Sequence, residues 1–379
     1  MKNTKILSLV PLIAVASAVV GFFSIRTGAE FVNYSFRADF NLYLTLLFSS
    51  ILLLFLAYQL LFNRLTYYFS HLILLFSIVF FSITSYVING RGVNLAYVQF
   101  LILLCIIFSN INFHFDKKIV NRVINYFVVI NVLAAAHYLL ALKLIVIPVA
   151  VFDSFRGLAF DRVELSLILS CFLCWSLYHK NYIVSAAICF LIVLSESRSG
   201  ILCVLIISLL HFPARFRLSL VVLICLVVPI LLGLSSRSEA LFMISQRVDL
   251  VLIGLKAGAV DLKSIIFGAG GLYTSVGSST PHNNLIQTFL NFGLSGILSY
   301  LLFLIFILKK LSRDNLAILS VFLIFGLSHQ DLEVFSFTVK NITWLGFFMA
   351  MSGLAHKENM KDLELANFQL PKYAYKKRL

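Results

Sequence analysis

The stretch HNNLIQTFLNFGLSGILSYLLFLIFILKK, residues 282–310, has polar side chains at one end of a long apolar run and two lysines at the other. As an α-helix, residues 284–308 are long enough to cross the roughly 30 Å hydrocarbon core of a bilayer. Apolar runs of similar length recur along the whole chain. We therefore predict that membrane-spanning helices are the repeating unit of the fold.

The composition supports this prediction for the whole chain. Of the 379 residues, 61% are hydrophobic and 12% are charged, whereas about a quarter of the residues in a soluble domain are charged. Runs near 20 residues favour helices over the shorter alternating strands of a β-barrel. We predict an all-α polytopic membrane protein, one integral membrane domain over residues 1–379, with about twelve spans near 6–25, 40–62, 66–88, 94–113, 123–142, 161–179, 182–196, 199–211, 218–235, 284–308, 314–330 and 334–354.

The charges between the spans predict the orientation. Alternate connections carry most of the lysines and arginines, and the positive-inside rule assigns them, both termini and a basic tail over residues 356–379 to the cytoplasm. The longest loop, residues 236–283, then lies outside. The net charge of +14 is explained by such loops and by anionic lipid rather than by nucleic acid. The cytoplasmic set includes Lys117, Lys118, Arg122, Lys180, Lys309 and Lys310.

Several cations nevertheless map to the outer connections, where the rule expects few. An anionic ligand at the outer surface would explain them, and solvated loop charge or contact with lipid headgroups is the alternative. They are Arg156, Arg162, Arg198, Arg237, Arg247, Lys256 and Lys263.

A carboxylate lies near the start of the predicted span 161–179. In SFRGLAFDRVELSLILS, residues 154–170, Glu164 is about one turn inside the apolar register. An ionisable group at that depth is costly unless it is paired or functional. Pairing with Arg156 or Arg162 and participation in ligand binding both remain open.

Two further motifs lie in outer connections. In LSESRSGIL, residues 194–202, Glu196 and Arg198 lie between two short apolar runs. A guanidinium can bind phosphate oxygens in a bidentate fork, although a Glu–Arg pair at a turn would serve equally as a cap. In the long loop, residues 248–259 suggest a helix in the membrane interface, and the glycines of GAGG, residues 268–271, suggest a turn. GAGG is not a P-loop, because no GK[ST] follows it.

The polar start of the opening stretch combines a cap with a titratable group. Asn283 or Asn284 is suited to capping the helix, and helix N-termini also favour anions. His282 has a side chain whose pKa is ordinarily near neutrality, so it is a candidate general base.

The six cysteines all lie inside apolar runs, and no cluster of outer carboxylates is present. We therefore predict neither a disulfide framework nor a zinc site, and no cofactor or metal.

The order of these motifs resembles that of the bacterial O-antigen polymerase and O-antigen ligase family. The likeness covers residues 156–296: an Arg-Gly turn, SRSG at 197–200, IIFGAGG at 265–271 and HNNLIQTFLNFGLSG at 282–296. The segment from His282 to Gly296 is its most specific part.

The resemblance implies a glycosyltransferase of the C-type membrane architecture in the bacterial inner membrane, with its active site facing the periplasm. It implies a donor glycan on undecaprenyl pyrophosphate, a lipid-linked acceptor and a separate co-polymerase that controls chain length. Functional arginines and a histidine of the family match Arg156, Arg198, Arg247 and His282. From the chemistry we expect His282, Arg247 and Glu164 to be catalytic, and the substrate to be bound by Arg156, Arg162, Arg198, Asn283 and Asn284.

Polymerase is the favoured function because the loop before His282 is compact and the form SSTPHNNL resembles the polymerases. An O-antigen ligase, which transfers the glycan to lipid A–core, is the first alternative, and a capsule polymerase would use the same chemistry. A flippase for lipid-linked oligosaccharides is the rival from another class. It would show charges deep in several helices and paired halves, neither of which the sequence displays.

Overall fold

A computed structural model of the chain describes residues 69–90, 117–144, 155, 162–211, 249–269 apart from 257, 283–310 and 316–328. It also describes isolated positions between 97 and 105 and between 344 and 351. Every regular element within this part of the chain is an α-helix. Three of these helices are long and apolar enough to cross a membrane, namely Phe69–Ile88, Lys117–Ala136 within a longer helix, and Asn284–Lys309. An all-α, membrane-embedded protein is therefore the class that the structure supports.

Eight helices have defined bounds in the described residues, and most begin and end within three residues of the prediction. Spans predicted at 6–25, 40–62 and 218–235 lie outside the described residues, so the count of twelve stays a prediction. The helices are α1 (Phe69–Ile88), α2 (Lys117–Leu144), α3 (Arg162–Tyr178), α4 (Tyr182–Leu194), α5 (Arg198–His211), α6 (Leu262–Phe267), α7 (Asn284–Lys310) and α8 (Leu316–Ser328).

Helix α2 is the largest departure from the predicted boundaries. It begins at Lys117 rather than at residue 123, so Lys117, Lys118 and Arg122 form its first turns instead of a connection. The prediction was wrong because charge was taken to end the helix. Long basic side chains can instead extend towards water from within a helix while their methylene stems cover apolar surface.

Helices α1 and α7 pack antiparallel along most of their length. The rings of His71 and Phe306 are 5.1 Å apart at one end. Further along, the hydroxyl of Ser299 donates to the carbonyl of Ile78 at 3.3 Å. Near the other end, Oγ of Ser85 lies 3.3 Å from the carbonyl oxygen of Asn291. The end of α1 therefore lies beside the first turns of α7.

Helices α3, α4 and α5 form a second unit with tight turns. Lys180 (φ 58°) and Glu196 (φ 54°) have left-handed backbone conformations at the two turns. The Oγ atoms of Ser166 and Ser195 are 2.9 Å apart, so the start of α3 contacts the turn between α4 and α5.

Aromatic residues near the C-terminus of the chain fix how α3 and α8 are oriented. Phe347 contacts Trp175 in the last turns of α3, with ring centroids 6.2 Å apart. The indole of the nearby Trp344 donates to the carbonyl of Ile318 in the first turn of α8 at 2.7 Å. The end of α3 and the start of α8 therefore share one end of the bundle, and the start of α3 and the end of α8 share the other.

The end that holds the last turn of α3 is rich in lysine. Trp175 donates to Asn121 in the first turns of α2 at 2.8 Å, which brings Lys117 to this end. Burial and, secondarily, the charge of Lys117 lower the pKa of His179 to about 4. We call this the lysine end, and the opposite end, defined by the starts of α3, α5 and α7, the serine–arginine end. The separation agrees with the predicted grouping of Lys117, Lys180 and Lys309 away from Arg162 and Arg198.

A break in α7 accommodates the turn that follows α6. Gly293 has φ 64° and ψ −155° inside α7, and Gly268 at the end of α6 has φ 62° and ψ −156°. An added Cβ on Gly293 would lie 2.5 Å from the carbonyl carbon of Ile266, and one on Gly268 would lie 2.5 Å from the nitrogen of Gly293. Only glycine permits this approach, since the conformation is strained for other residues and the space is occupied by backbone.

Hydrogen bonds hold the same turn to α7 and α1. The amide of Ala269 donates to the carbonyl of Leu290 at 2.9 Å. From α1, Ser85 donates to the carbonyl of Phe267, and the Nδ2 atom of Asn89 donates to that of Gly268 at 3.1 Å. The predicted turn at Gly268 is therefore present, and it docks onto two membrane helices.

Replacing either docking glycine by alanine should destabilise the protein far more than the same change at Gly90. Gly90 also has a positive φ (63°), but nothing lies within 4 Å of its added Cβ, so Gly90→Ala should cost only about 1–2 kcal/mol of backbone strain. Gly268→Ala and Gly293→Ala add an overlap with backbone and should cost about 3 kcal/mol or more. Thermal unfolding in detergent measures the difference, and equal losses for all three variants would contradict the docking.

Candidate functional site

The predicted site residues divide into those the structure describes and those it does not. Arg156, Arg247 and His282 lie outside the described residues, so their roles stay predictions. The others are described, and all of them lie at the serine–arginine end. They are Arg162, Glu164, Arg198, Asn283 and Asn284.

The start of α3 buries a carboxylate. Glu164 lies in the first turn and is only 9% exposed, whereas Arg162 two residues earlier is exposed. A carboxylate in the first turn interacts favourably with the partial positive charge of a helix N-terminus. The buried serines around it, Ser166 and Ser195, add polar groups to the same junction.

The start of α5 presents an arginine between two buried serines. Arg198 is exposed, while Ser197 and Ser199 are 3% and 7% exposed. Ser197 acts as the cap, since its hydroxyl accepts from the amide of Gly200 at 3.3 Å. Arg198 is therefore the first helical residue rather than a turn residue, and its side chain is exposed.

Gly200 explains how close α3 and α5 come. A Cβ added to it would lie 2.7 Å from the Cβ of Ser166 and 2.9 Å from Cγ2 of Ile192. The glycine of SRSG thus brings the first turn of α5 against the first turns of α3, which places Arg198 and Glu164 on neighbouring helix starts. Sequence reasoning identified the motif but not this function of its glycine.

At the start of α7 the two asparagines have different roles. Asn283 is the cap, because its Oδ1 atom accepts from the amides of Leu285 at 2.9 Å and Ile286 at 3.2 Å. Its Nδ2 atom donates to the carbonyl of Leu327 at the end of α8, at 3.4 Å. Asn284 is 1% exposed, and its Nδ2 atom lies 3.1 Å from the position of a Cβ on Gly326. The side chain of Asn284 therefore packs between α7 and α8.

Helix α8 connects the three helix starts. It packs against α3, α5 and α7, and its end lies beside Asn283 and Asn284. The starts of α3 and α5 are in direct contact, and the start of α7 reaches the same end of the bundle through α8. The predicted residues from three distant segments thus lie at one end, in agreement with the predicted grouping, but the contacts that join them through α8 were not predicted from the sequence.

A row of buried polar residues along α7 was missed by the sequence analysis, apart from Asn284 at its start. The residues recur about every four positions, which places them along one side of a helix within an apolar span, a signal that was available in the sequence. The Oδ1 atom of Asn291, a residue only 5% exposed, has no hydrogen-bond partner in the described part of the chain. The row comprises Asn284, Gln287, Thr288, Asn291, Ser295 and Ser299.

The described residues contain no group of three or more His, Cys, Asp or Glu side chains placed to hold a metal ion. The groups that they do supply at the serine–arginine end are guanidinium, hydroxyl, carboxamide and carboxylate. This set is suited to binding an anion and hydroxyl-rich ligands, and to moving a proton through the carboxylate.

A scan against models of protein families finds no family that matches this chain, and no curated protein matches it in sequence.

The cap at the start of α7 can be tested by comparing a variant that removes its acceptor with one that keeps it. Asn283→Ala and Asn283→Asp both remove the Nδ2 donor to Leu327. Asn283→Ala also removes the oxygen that accepts from two amides, so it should lower the free energy of unfolding by about 1 kcal/mol more than Asn283→Asp does. Asn283→Asp keeps the acceptor and adds a charge that a helix N-terminus favours. Equal destabilisation by both variants would show that the cap contributes nothing.

The contact between α3 and α5 can be tested by creating and then relieving an overlap. Gly200→Ala should destabilise the protein by about 1–3 kcal/mol, because the new methyl group meets Ser166 and Ile192. Adding Ser166→Gly removes the nearer of the two atoms and should recover part of the loss. If the two changes acted independently, the stability lost by the double variant would equal the sum of the two single losses. A loss that is not smaller than this sum would contradict the prediction. Thermal unfolding of all three proteins in detergent gives the comparison.

Proposed function

We propose that this protein is a membrane-embedded polysaccharide polymerase that extends glycans carried on undecaprenyl pyrophosphate. The observation that carries the proposal is the direct contact of two helix starts, one with Glu164 buried beside Arg162 and the other with Arg198 exposed between buried serines. A lipid pyrophosphate leaving group needs cationic donors, and a sugar acceptor needs a base and hydroxyl-binding groups. This end of the bundle provides residues of these types.

In the proposed reaction, a sugar hydroxyl of the lipid-linked repeat unit attacks the anomeric carbon of the growing chain. A new glycosidic bond forms, the bond between that carbon and the pyrophosphate oxygen breaks, and the electron pair remains on the pyrophosphate. Arg198 and Arg247 stabilise the developing charge, with Arg156 and Arg162 binding the pyrophosphate or glycan. His282 takes the hydroxyl proton, and Glu164 is the reserve base. A single displacement of this kind inverts the anomeric configuration and requires no metal or cofactor.

The docking of the turn after α6 onto α7 supports the assignment. IIFGAGG and HNNLIQTFLNFGLSG are neighbouring segments of the family resemblance, and the second is its most specific part. Gly268 of the first approaches Gly293 of the second, and the amide of Ala269 donates to the carbonyl of Leu290. The glycines in both motifs thus have a shared physical reason.

In the proposed topology, about twelve spans lie in the bacterial inner membrane, with both termini in the cytoplasm and the serine–arginine end facing the periplasm. The loop over residues 236–283 would lie over that end, and the basic tail over residues 356–379 in the cytoplasm. The partners would be the lipid-linked donor and acceptor and a co-polymerase that sets chain length. The grouping of Lys117, Lys180 and Lys309 at the other end is what the positive-inside rule expects of a cytoplasmic face.

A deletion strain separates the candidate functions. Loss of a polymerase should leave lipid A–core with a single repeat unit on a lipopolysaccharide gel. Loss of a ligase should leave polymer on the carrier lipid, and loss of a flippase should leave repeat units facing the cytoplasm. A deletion without effect on lipopolysaccharide but with loss of capsule would assign the same chemistry to a capsule polymerase.

Complementation of that strain tests the residues. His282→Ala and Arg247→Ala should abolish long polysaccharide, and Arg198→Ala should reduce polymerisation by roughly 10²-fold or more, the usual effect of removing a donor to a developing oxyanion. Arg198→Lys should restore only part, because an ammonium cannot form the bidentate fork.

Lys309→Ala is the matched control, since it removes an exposed cation at the lysine end and should leave the polymer unchanged. Normal polymer from both His282→Ala and Arg247→Ala, at normal protein levels, would overturn the assignment.

A further inference from the structure

The residues that precede the docked turn form a surface with an unusual distribution of side chains. Residues 249–256 are helical, and α6 follows after a short turn. Exposed aliphatic side chains cover both segments, although burying the exposed part of each would gain about 1–2 kcal/mol. They are Leu252 (50% exposed), Ile253 (49%), Leu255 (41%), Val260 (77%) and Leu262 (72%).

The small residues of this segment face the protein instead. Gly254 and Gly258 are buried, and a Cβ on Gly258 would lie 2.5 Å from a ring carbon of Phe289. The absence of side chains lets the segment lie close against α7, as small residues do between membrane helices. An amphipathic helix on a soluble protein shows the reverse arrangement, with its large apolar residues inward. The outward aliphatic face therefore indicates an apolar environment outside the protein.

Charged side chains limit how deep that environment can be. Asp249, Lys256, Asp261 and Lys263 are all exposed along the same 15 residues. Asp261 caps α6, and hydrogen bonds from the amide and hydroxyl of Ser264 lower the pKa of its carboxyl, which keeps it ionised. Four exposed acidic and basic side chains exclude the hydrocarbon centre of a bilayer, where each would cost several kcal/mol. The aliphatic face is unfavourable in water, and the charged side chains are unfavourable in hydrocarbon. The segment is therefore suited to the boundary between the two.

The point at which this segment contacts α7 also indicates an intermediate depth in the bilayer. Phe289 and Leu290, which Gly258 contacts, lie five and six residues after Asn284, about 8–9 Å from the start of the helix. Further along α7, Leu294 and Leu298 are 52% and 42% exposed and continue the apolar surface inward. The segment thus lies at the edge of the surface that a spanning helix presents to lipid.

We propose that residues 249–267 form an interfacial anchor that embeds its aliphatic face in the headgroup and upper acyl region of the bilayer at the serine–arginine end. The four described charges sum to zero, so the binding rests on apolar burial and does not need anionic lipid. The anchor is joined to the membrane core by the Gly268–Gly293 docking, which follows it directly in sequence. This proposal is independent of the proposed enzymatic activity.

Tryptophan substitution and quenching by brominated lipids test the anchor in the full-length protein. The two native tryptophans, Trp175 and Trp344, are 0% and 1% exposed, so brominated lipids should quench their emission little and the background quenching is low. Ile253→Trp and Leu262→Trp place a probe on exposed positions without disturbing the core. Phe80→Trp, at a position 65% exposed midway along α1, is the control for a side chain facing the hydrocarbon centre. Each protein is reconstituted in phosphatidylcholine vesicles brominated either near the headgroup or near the ends of the acyl chains.

For Ile253→Trp and Leu262→Trp, bromines near the headgroup should quench about two-fold more than bromines near the chain ends, because interfacial helices lie 5–10 Å into the boundary. Phe80→Trp should show the opposite order. Quenching no greater than that of the native tryptophans would overturn the proposal, since the surface would then face water or another protein. Stronger quenching by the deep bromines would overturn it as well, because the segment would then lie in the hydrocarbon core.

Discussion

The approach of Gly268 to Gly293 is the contact on which the packing of α6 against α7 and α1 depends. It breaks a membrane helix within its apolar length, where an unpaired backbone group would cost several kcal/mol. The turn after α6 occupies that break, and Ala269 bonds to Leu290, while Ser85 and Asn89 of α1 bind the carbonyls at the end of α6. Helices α1, α6 and α7 thereby become one packed unit.

The two ends of the bundle differ in chemistry because different physical demands act on them. At one end, exposed lysines lie at the start of α2, after the last turn of α3 and in the last turn of α7. At the other end, short turns and glycines bring helix starts into contact, and the polar groups there are serines, asparagines, arginines and a buried glutamate. Buried polar groups need partners, so such a cluster is costly in a membrane protein unless packing or a ligand repays it. Packing offsets part of this cost in the row along α7, because the hydroxyl of Ser299 donates to the carbonyl of Ile78 on α1.

Much of the fold could be predicted from the sequence, because the signal is strong where the solvent is hydrocarbon. Helices α3, α4 and α5 begin and end within two residues of the predicted bounds, and α7 begins at Asn284 as predicted. Boundaries failed where charge and helix coexist, as at Lys117. For the site, sequence reasoning named Glu164, Arg198 and Asn283 and proposed an asparagine cap, which Asn283 confirms. It did not identify Asn291, Ser85 or Asn89. In the sequence, a polar residue in an apolar run gives the same pattern whether its side chain packs in the core, forms a hydrogen bond with another helix or binds a ligand.

The sequence by itself determined that this is a helical membrane protein, where most of its described helices lie and which residues are candidates for chemistry. Hydrophobic run length and charge are local properties, and the bilayer converts them directly into structure. Only the tertiary structure decided that Gly200 brings α3 against α5, that Asn284 is buried against α8, and that Gly293 breaks α7 to receive Gly268. These are contacts between residues far apart in the chain. They depend on which helix faces are neighbours, and an apolar stripe packs equally well against many partners, so hydrophobicity alone does not select among them.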